Sequence, residues 1–313
     1  MAKYRNDLPQ LSGELFITDG GLETTLFFSE GFDLPEFAAF VLLDQVKGRK
    51  AIEDYYRTYA DIARHHHLNF ILESATWRAS SDWGKKIGYS REALADINRR
   101  AIELLRDIRE EYGETASNWV ISGCMGSRGD GYDPQFRMSP DEAEDYHREQ
   151  IQILRGTEAD MVTAYTLPYA EEAIGLTRAA HAENMPVAIG FTVETDGRLP
   201  SGQSLEAAIT QVDAATGNRP AYYMINCAHP THFDHVLASG ASWTQRIRAI
   251  RANASAKNHA ELEAMDVLDD GNPEEFGRQY RALRERLNHL NVLGDCCGTD
   301  HRHLEAICQG VLN

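Results

Sequence analysis

Three of the five cysteines stand at the ends of short apolar runs that are typical of β-strands. Cys227 closes the run 221–227, and Cys296 and Cys297 follow the run 291–294 after a single aspartate. Thiolates are zinc ligands, and three of them leave the fourth position of a tetrahedral site open. Structural zinc sites are closed, so this set predicts a zinc ion and catalysis on a molecule that takes the open position.

The spacing of the cysteines along the chain leaves two other interpretations open. The two groups are far apart in the chain, unlike the ligands of a compact zinc finger. Neighbouring cysteines can also be ordinary small buried residues. A disulfide is less favoured, because the number of cysteines is odd and a bridge between adjacent residues is strained.

The composition narrows the class of protein. The chain has 313 residues, 42% of them hydrophobic and 25% charged, which is ordinary for a soluble globular protein. No apolar run approaches the roughly 18 residues of a membrane span. A formal net charge of −17 argues against nucleic acid or an anionic membrane as partner. We expect small-molecule ligands and a possible homo-oligomer.

The first fourteen residues have no apolar stretch of signal-peptide length and no small-residue cleavage site. A cytoplasmic location is therefore expected. In that reducing compartment, clustered cysteines more often bind metal or act in catalysis than form bridges.

Short apolar runs alternate with longer helical patterns along the whole chain. The predicted strands are 14–18, 69–73, 119–124, 160–165, 186–192, 221–227, 245–249 and 291–294. The seventh is the weakest, because Arg-Ile-Arg-Ala-Ile is equally compatible with a helix. The predicted helices are 51–65, 91–112, 140–156, 205–215 and 273–289, with Ser90 and Ser139 as N-caps. This alternation predicts an α/β fold, a (β/α)8 TIM barrel that forms a single domain over residues 1–313.

The active site of such a barrel lies at the carboxyl ends of its strands. The polar residues predicted there are Asp19, Gly20 and Gly21 after the first strand, Glu73, Ser74 and Thr76 at the second, Tyr165 at the fourth and Asn226 at the sixth. The polar stretch 252–272 is predicted to be a long loop on the same side.

Several motifs at these strand ends resemble those of the homocysteine S-methyltransferase family, in order and over nearly the whole chain. They are Asp19-Gly20-Gly21, Gly123-x-x-Gly126-x-Arg128-Gly129-Asp130-Gly131, Phe191-Thr192-x-x-x-Asp196-Gly197, Ile225-Asn226-Cys227 and Gly294-Asp295-Cys296-Cys297-Gly298-Thr299. The resemblance implies a barrel in which Cys227, Cys296 and Cys297 hold Zn²⁺. It also implies transfer of a methyl group to the thiol of homocysteine, which gives methionine. Donors in the family include betaine, S-methylmethionine, S-adenosylmethionine and a methylated folate.

The resemblance also suggests how the acceptor is held. Asp19 is expected to meet its ammonium group, and the N–H groups of Gly20 and Gly21 its carboxylate; a tight turn explains the two glycines equally well. Ser74 and Thr76 stand where the family places hydroxyl contacts. Asn226 would orient the site, although a hydrogen bond within the strand-end turn is an equal explanation.

One position departs from the family pattern. After the fourth strand the family commonly carries a glutamate that binds the substrate ammonium, and here the residue is Tyr165. A phenol supplies no negative charge at neutral pH. Either Glu73 takes over this role, or the acceptor is a different thiol.

The donor is predicted from charge. A zinc centre with three thiolates and a bound substrate thiolate is electron-rich, so it favours a cationic sulfonium or quaternary ammonium donor over a neutral folate. Trp77, Tyr132 and Phe136 are candidates for an aromatic wall near that cation, although packing explains each one singly. The alternatives to the methyltransferase are a non-catalytic, zinc-stabilised barrel that binds an amino acid or partner and, ranked last, a metal hydrolase.

Overall fold

The computed structural model describes residues 2–312 and contains eight parallel strands that close into a barrel. Each strand pairs with the next along the chain, and the first also pairs with the last. The strands are β1 Phe16–Thr18, β2 Asn69–Glu73, β3 Val120–Gly126, β4 Met161–Leu167, β5 Val187–Phe191, β6 Tyr222–Asn226, β7 Ile247–Ala252 and β8 Val292–Asp295. The predicted (β/α)8 barrel and its single domain are confirmed.

All eight predicted strands are present, with ends that differ from the predicted ones by a few residues or less. The ambiguous seventh segment is a strand, because Ala249 pairs with Met224 of β6 on one side and with Val292 of β8 on the other. The closed ladder decides the conformation of β7, and local propensity does not. Its true span lies two to three residues further along the chain than predicted.

Long helices cover the outside of the barrel. They are Val46–His65, Arg91–Glu111, Pro140–Arg155, Ala170–Ala182, Leu205–Thr216, Pro273–Arg286 and His301–Leu312. Shorter helical segments lie at Pro9–Ser12, Leu22–Thr24, Thr25–Ser29, Pro35–Phe37, Ala39–Asp44, Ser81–Lys86, Gly113–Ala116, Pro230–Phe233, Val236–Ser239, Ser242–Arg246 and His259–Glu263. Ser90 and Ser139 are N-caps as predicted, and Ser139 forms a reciprocal capping box with Glu142. Among residues 2–312, no helix has both the length and the apolar character needed to cross a bilayer.

The helix Ala170–Ala182 was not predicted from the sequence. It is buried on most sides, so it lacks the polar stripe that makes an amphipathic helix recognisable. It packs closely on the helix Pro140–Arg155: a Cβ at Gly175 would lie 2.5 Å from the Ala143 side chain. Close packing between two helices requires glycine here.

Two apolar layers support the barrel. One lies between the strands and the surrounding helices. The other fills the lower barrel interior with residues that include Phe16, Ile71, Val120, Met161 and Val292. Above this floor, toward the carboxyl ends of the strands, the buried residues become polar: Thr18, Glu73, Ser122, Asn226 and Arg251. The fold therefore places a polar chamber over an apolar plug.

Candidate active site

Three thiols converge at the carboxyl ends of β6 and β8. The Sγ atom of Cys227 lies 2.7 Å from that of Cys296 and 3.8 Å from that of Cys297. All three sulfur atoms lie within 4.8 Å of one another. Cys227 is buried, whereas Cys296 and Cys297 are partly exposed. The two groups that are remote in sequence form one cluster that is open to a small molecule.

The backbone around Cys227 is unusual and firmly held. Its φ angle is +54°, in the left-handed region that residues with a Cβ rarely adopt. Its N–H donates to the carbonyl of Arg251 at 3.1 Å. Its own carbonyl accepts hydrogen bonds from the hydroxyls of Tyr132 at 3.2 Å and Thr192 at 3.3 Å. These three bonds hold a turn that directs the sulfur toward the other two.

The other two thiols are fixed through their own backbone. The N–H of Cys296 donates to the carbonyl of Ala252 at 2.8 Å, and the N–H of Cys297 donates to Oδ1 of Asn253 at 3.1 Å. Both partners belong to the end of β7, which lies between β6 and β8. The end of β7 thus braces all three cysteines.

The electrostatics of the cluster favour a thiolate. Hydrogen bonds from the thiols of Cys296 and Cys297 lower the pKa of Cys227 well below its usual value. Sharing that thiolate raises the pKa of Cys296 and of Cys297 well above theirs. Deprotonated sulfur is the form that binds metal. Three converging sulfur atoms, one of them readily ionised, fit a soft divalent metal such as zinc.

The histidines that follow Cys227 have other partners. Nδ1 of His229 lies 2.8 Å from the Thr231 hydroxyl, and burial lowers the pKa of His229 to about 4. His232 and His235 meet the backbone carbonyls of Ala256 and Asp196. Within the described residues, no histidine nitrogen joins the sulfur cluster as a fourth ligand atom.

Glu73 points into the polar chamber and is 5% exposed. Its Oε2 atom is buried without a hydrogen-bond partner. Burial raises the pKa of Glu73 to about 7; the hydroxyls of Ser122 and Tyr165 beside its carboxylate favour the charged form and so lower it. An unpaired buried carboxylate oxygen is available to a cationic group of a ligand.

Arg251 is a site residue that sequence reasoning missed. It is 5% exposed and lies inside the barrel at the end of β7. Its Nη1 donates to the Tyr165 hydroxyl at 2.8 Å and lies 3.1 Å from Oδ1 of Asp19. Its position in the apolar run of a strand was a usable signal, since arginine is almost never fully buried without a partner.

Asp19 is already partnered in this structure. Besides Arg251, it accepts a hydrogen bond from the Tyr55 hydroxyl at 3.1 Å. Burial raises its pKa, and the guanidinium of Arg251 opposes that rise. The role predicted for Asp19, direct contact with an acceptor ammonium, stays a prediction.

The two glycines after β1 are explained by close packing. A Cβ at Gly20 would collide with the Tyr59 hydroxyl and lie 2.7 Å from Oδ1 of Asp295. The N–H of Gly21 donates to the Thr299 hydroxyl at 3.2 Å. The amide of Gly21 is therefore already used inside the protein, and carboxylate binding by this segment stays a prediction.

Ser74 and Thr76 form a network with the end of β3. Their hydroxyls lie 2.6 Å apart. The Thr76 hydroxyl donates to the carbonyl of Cys124 at 2.7 Å, and the N–H of Cys124 donates to the Ser74 hydroxyl at 3.0 Å. These bonds brace β2 against β3 beside Glu73.

Asn226 makes a paired contact with the end of β4. Its Oδ1 accepts from the N–H of Thr166 at 2.9 Å, and its Nδ2 donates to the Thr166 hydroxyl at 2.8 Å. Thr166 has a left-handed backbone, with φ of +58°. Asn226 holds that turn next to both Tyr165 and Cys227.

Of the three aromatic residues considered for a donor wall, Tyr132 is the one beside the thiols. Its ring stacks on that of His259 with centroids 3.6 Å apart. The face of Trp77 is covered by the Arg78 guanidinium, 4.0 Å from the ring centroid. Phe136 is 90% exposed. Only Tyr132, among these three, borders the cleft next to Cys227.

The fold is an α/β barrel with a cluster of three thiols at the carboxyl ends of its strands. A family model described as homocysteine S-methyltransferase matches residues 16–311. The chain belongs to the homocysteine S-methyltransferase family and is a methyltransferase.

Individual relatives agree with this assignment. The chain is 22% identical to homocysteine S-methyltransferase 1 of Brassica oleracea var. italica, over 96% of this chain and 94% of that protein. It is 23% identical to the selenocysteine Se-methyltransferase of the same plant, over 96% and 90%. The crystal structure of the homocysteine methyltransferase MmuM from Escherichia coli, metallated form, superposes with a TM-score of 0.75 at 19% identity. That match covers 97% of this chain and 99% of the other.

Proposed function

We propose that this protein is a zinc-dependent S-methyltransferase that moves a methyl group from an onium donor to the thiol of homocysteine, giving methionine. The observation that carries the proposal is the convergence of Cys227, Cys296 and Cys297 at the carboxyl ends of β6 and β8. Family membership supports homocysteine as the acceptor.

The three cysteines are proposed to hold the zinc ion. When bound, zinc supplies a Lewis acid that lowers the pKa of a coordinating thiol. In the transfer itself, a lone pair of the acceptor sulfur forms the new carbon–sulfur bond, and the bond between the methyl group and the donor onium centre breaks. The electron pair of that bond stays on the donor, which leaves neutral, and the thiol proton passes to solvent. No general acid is needed for the leaving group.

The residues of the polar chamber are proposed to bind the amino-acid end of the acceptor. Glu73, through its unpaired Oε2 atom, receives the ammonium group, with Asp19 and Tyr165 beside it. Gly20 and Gly21 border the same region. Ser74, Thr76 and Asn226 are proposed to act mainly by holding the strand ends, given their hydrogen bonds to Cys124 and Thr166.

A sulfonium compound, S-methylmethionine or S-adenosylmethionine, is the proposed donor, with betaine as the quaternary ammonium alternative. A cation gains attraction as it approaches a thiolate-rich centre, and a neutral thioether leaves more easily than an amine. Tyr132, whose ring stacks on His259 beside Cys227, offers an aromatic surface to such a cation.

The test is single-turnover methyl transfer to homocysteine on reduced protein of measured zinc content. S-methylmethionine, S-adenosylmethionine, betaine and methyltetrahydrofolate are compared in parallel. We expect methionine with an onium donor and least with the folate. Turnover with the folate alone would refute the argument from charge. No methionine with any donor on zinc-loaded protein would instead favour a different thiol acceptor.

A further inference from the structure

Arg251 occupies a central position among the strands that carry the thiols. It is level with Asn226 of β6 and with Gly294 of β8, the residues that precede the cysteine segments. Its backbone carbonyl accepts from the N–H of Cys227, and its Nε donates to the carbonyl of Asp295 at 2.9 Å. The arginine side chain thus extends across the barrel interior directly beneath the sulfur cluster.

Every nitrogen of the Arg251 guanidinium has a hydrogen-bond partner inside the protein. Beyond the bond from Nε, Nη1 faces the Tyr165 hydroxyl and the Asp19 carboxylate. Nη2 donates to the carbonyls of Asp19 and Gly20, each at 2.9 Å. Oδ1 of Asp19 is within ion-pair distance of Nη1 but accepts no hydrogen bond, so at most one of the five N–H donors of the guanidinium is left without an acceptor. Arg251 is held as a permanent internal cation.

The Arg251 cation neutralises the carboxylate of Asp19 and leaves that of Glu73 without an ion-pair partner. The Asp19 carboxylate forms an ion pair with Arg251 in which both side chains are almost fully buried. Glu73 has no ion-pair partner among the interactions found within residues 2–312, and its Oε2 atom is unpaired. The third acid nearby, Glu23, is partly exposed in the segment after β1. Asp295 also has a buried carboxylate without a hydrogen-bond partner, but that carboxylate lies near the Tyr59 hydroxyl of the helix Val46–His65, outside the strands. Glu73 is therefore the enclosed carboxylate inside the chamber with an unpaired oxygen.

We propose that Arg251 is a specificity-determining residue for the acceptor: it neutralises Asp19 and so leaves Glu73 as the enclosed carboxylate that is available to the ammonium group of the thiol. The assignment rests on the proposed function, because it concerns the same acceptor. Arg251 acts through its neighbours, as a positioning residue, and touches no reacting atom.

The test measures equilibrium binding of three thiols, so that it is independent of turnover. The probes are homocysteine, 4-sulfanylbutanoate, which lacks the ammonium group, and 3-aminopropane-1-thiol, which lacks the carboxylate. Dissociation constants are determined by calorimetric titration of reduced protein with known metal content. The informative quantity is the affinity of the amine thiol divided by that of the carboxylate thiol.

The variants shift this ratio in opposite directions. Binding is measured at about pH 9, because loss of the Arg251 charge raises the pKa of both Asp19 and Glu73 and a protonated carboxyl does not attract an ammonium group. Under that condition Arg251→Met leaves Asp19 without its cation, so the ratio should rise at least about tenfold; Asp19→Asn leaves Arg251 without its anion, so the ratio should fall by a similar factor. Arg251→Lys keeps the charge and should keep the ratio within about threefold, even if all affinities drop. If Arg251 had a purely structural role, each variant would weaken the binding of both thiols by a similar factor.

The proposal is overturned if Asp19→Asn leaves the ratio unchanged, or if both variants move it in the same direction. If Arg251→Met does not fold, Asp19→Asn and Arg251→Lys still decide between these outcomes. If the wild-type protein binds homocysteine but the variants leave the ratio unchanged, only the role of Arg251 is refuted. Wild-type protein that neither binds nor methylates homocysteine would refute the proposed function together with it.

Discussion

Nη1 of Arg251 on β7 lies 3.1 Å from Oδ1 of Asp19, which directly follows β1. The two strands are separated in the barrel by β8, so the ion pair passes over the end of that strand. Gly294 of β8 lies against the end of β1, where an added Cβ would lie 3.0 Å from the Cβ of Thr18 and collide with its hydroxyl. Glycine at this position lets the ends of the two strands pack closely.

Gly294→Ala should therefore destabilise the barrel, because the new methyl group has no room. We expect a loss of about 1–3 kcal/mol in the free energy of unfolding, the usual range for overpacking, measured by urea denaturation. Gly129→Ala is the matched control: its Cβ would meet nothing within 4 Å, and its φ is not positive. Equal stability of the two variants would contradict this account of the strand end.

Metal analysis tests the cysteine cluster directly. Protein purified under reducing conditions should carry about one zinc ion per chain, and Cys296→Ser should lose most of it because one of three ligands is gone. Cys308→Ala is the control, since Cys308 is buried in the last helix outside the cluster. Full zinc retention in single variants of Cys227, Cys296 and Cys297 would rule out this site.

The ammonium contact is tested by comparing two neighbours. Glu73→Gln removes a charge and should weaken homocysteine binding by about 1.5–3 kcal/mol, the range for a hydrogen bond to a charged group. Tyr165→Phe removes only a hydroxyl that bonds to Arg251 and should weaken it less. Titration calorimetry measures both. Negligible effects in both variants would place the ammonium pocket elsewhere.

Acceptor binding should also depend on pH through Glu73. Burial raises the pKa of this group to about 7; the Arg251 charge lowers it and the Asp19 charge raises it further. Below about pH 7 the carboxyl is protonated and cannot pair with an ammonium group, so homocysteine affinity should rise as the pH increases through that value.

The thiol of the acceptor also ionises more readily as the pH rises, so the control is Glu73→Gln. Affinities of both proteins are measured from about pH 6 to pH 8, and their ratio isolates the contribution of Glu73. The wild-type advantage should grow across this interval. A ratio that is independent of pH would show that the Glu73 charge does not contribute to binding.

The arrangement of the strands and the convergence of the cysteines were predictable from the sequence for one reason. Parallel strands end at the same edge, so residues that follow them meet there whatever their separation along the chain. Cys227 and Cys296 illustrate this directly. The bounds of β7 were less predictable. They depend on how β7 pairs with β6 and β8, and the local sequence does not reveal that pairing.

The partners of individual side chains were beyond the sequence. Tyr165 was recognised as a departure, but its bond to Arg251 depends on which way β7 faces. Ser74 and Thr76 were expected to contact substrate, which stays a prediction; that their hydroxyls also bond within the protein could not be foreseen. A hydroxyl at a strand end serves a ligand or the backbone equally well, and only the three-dimensional surroundings decide.

The left-handed backbone of Cys227 has a consequence for the evolution of such enzymes. For a residue with a Cβ, this backbone conformation costs about 1–3 kcal/mol relative to a relaxed backbone. Glycine would avoid that cost. In the absence of metal, selection of random variants for heat resistance alone should therefore enrich Cys227→Gly, which removes a proposed zinc ligand while relieving the backbone. Screens for durable variants of this protein need a methylation readout at every round, because here robustness and chemistry favour different residues.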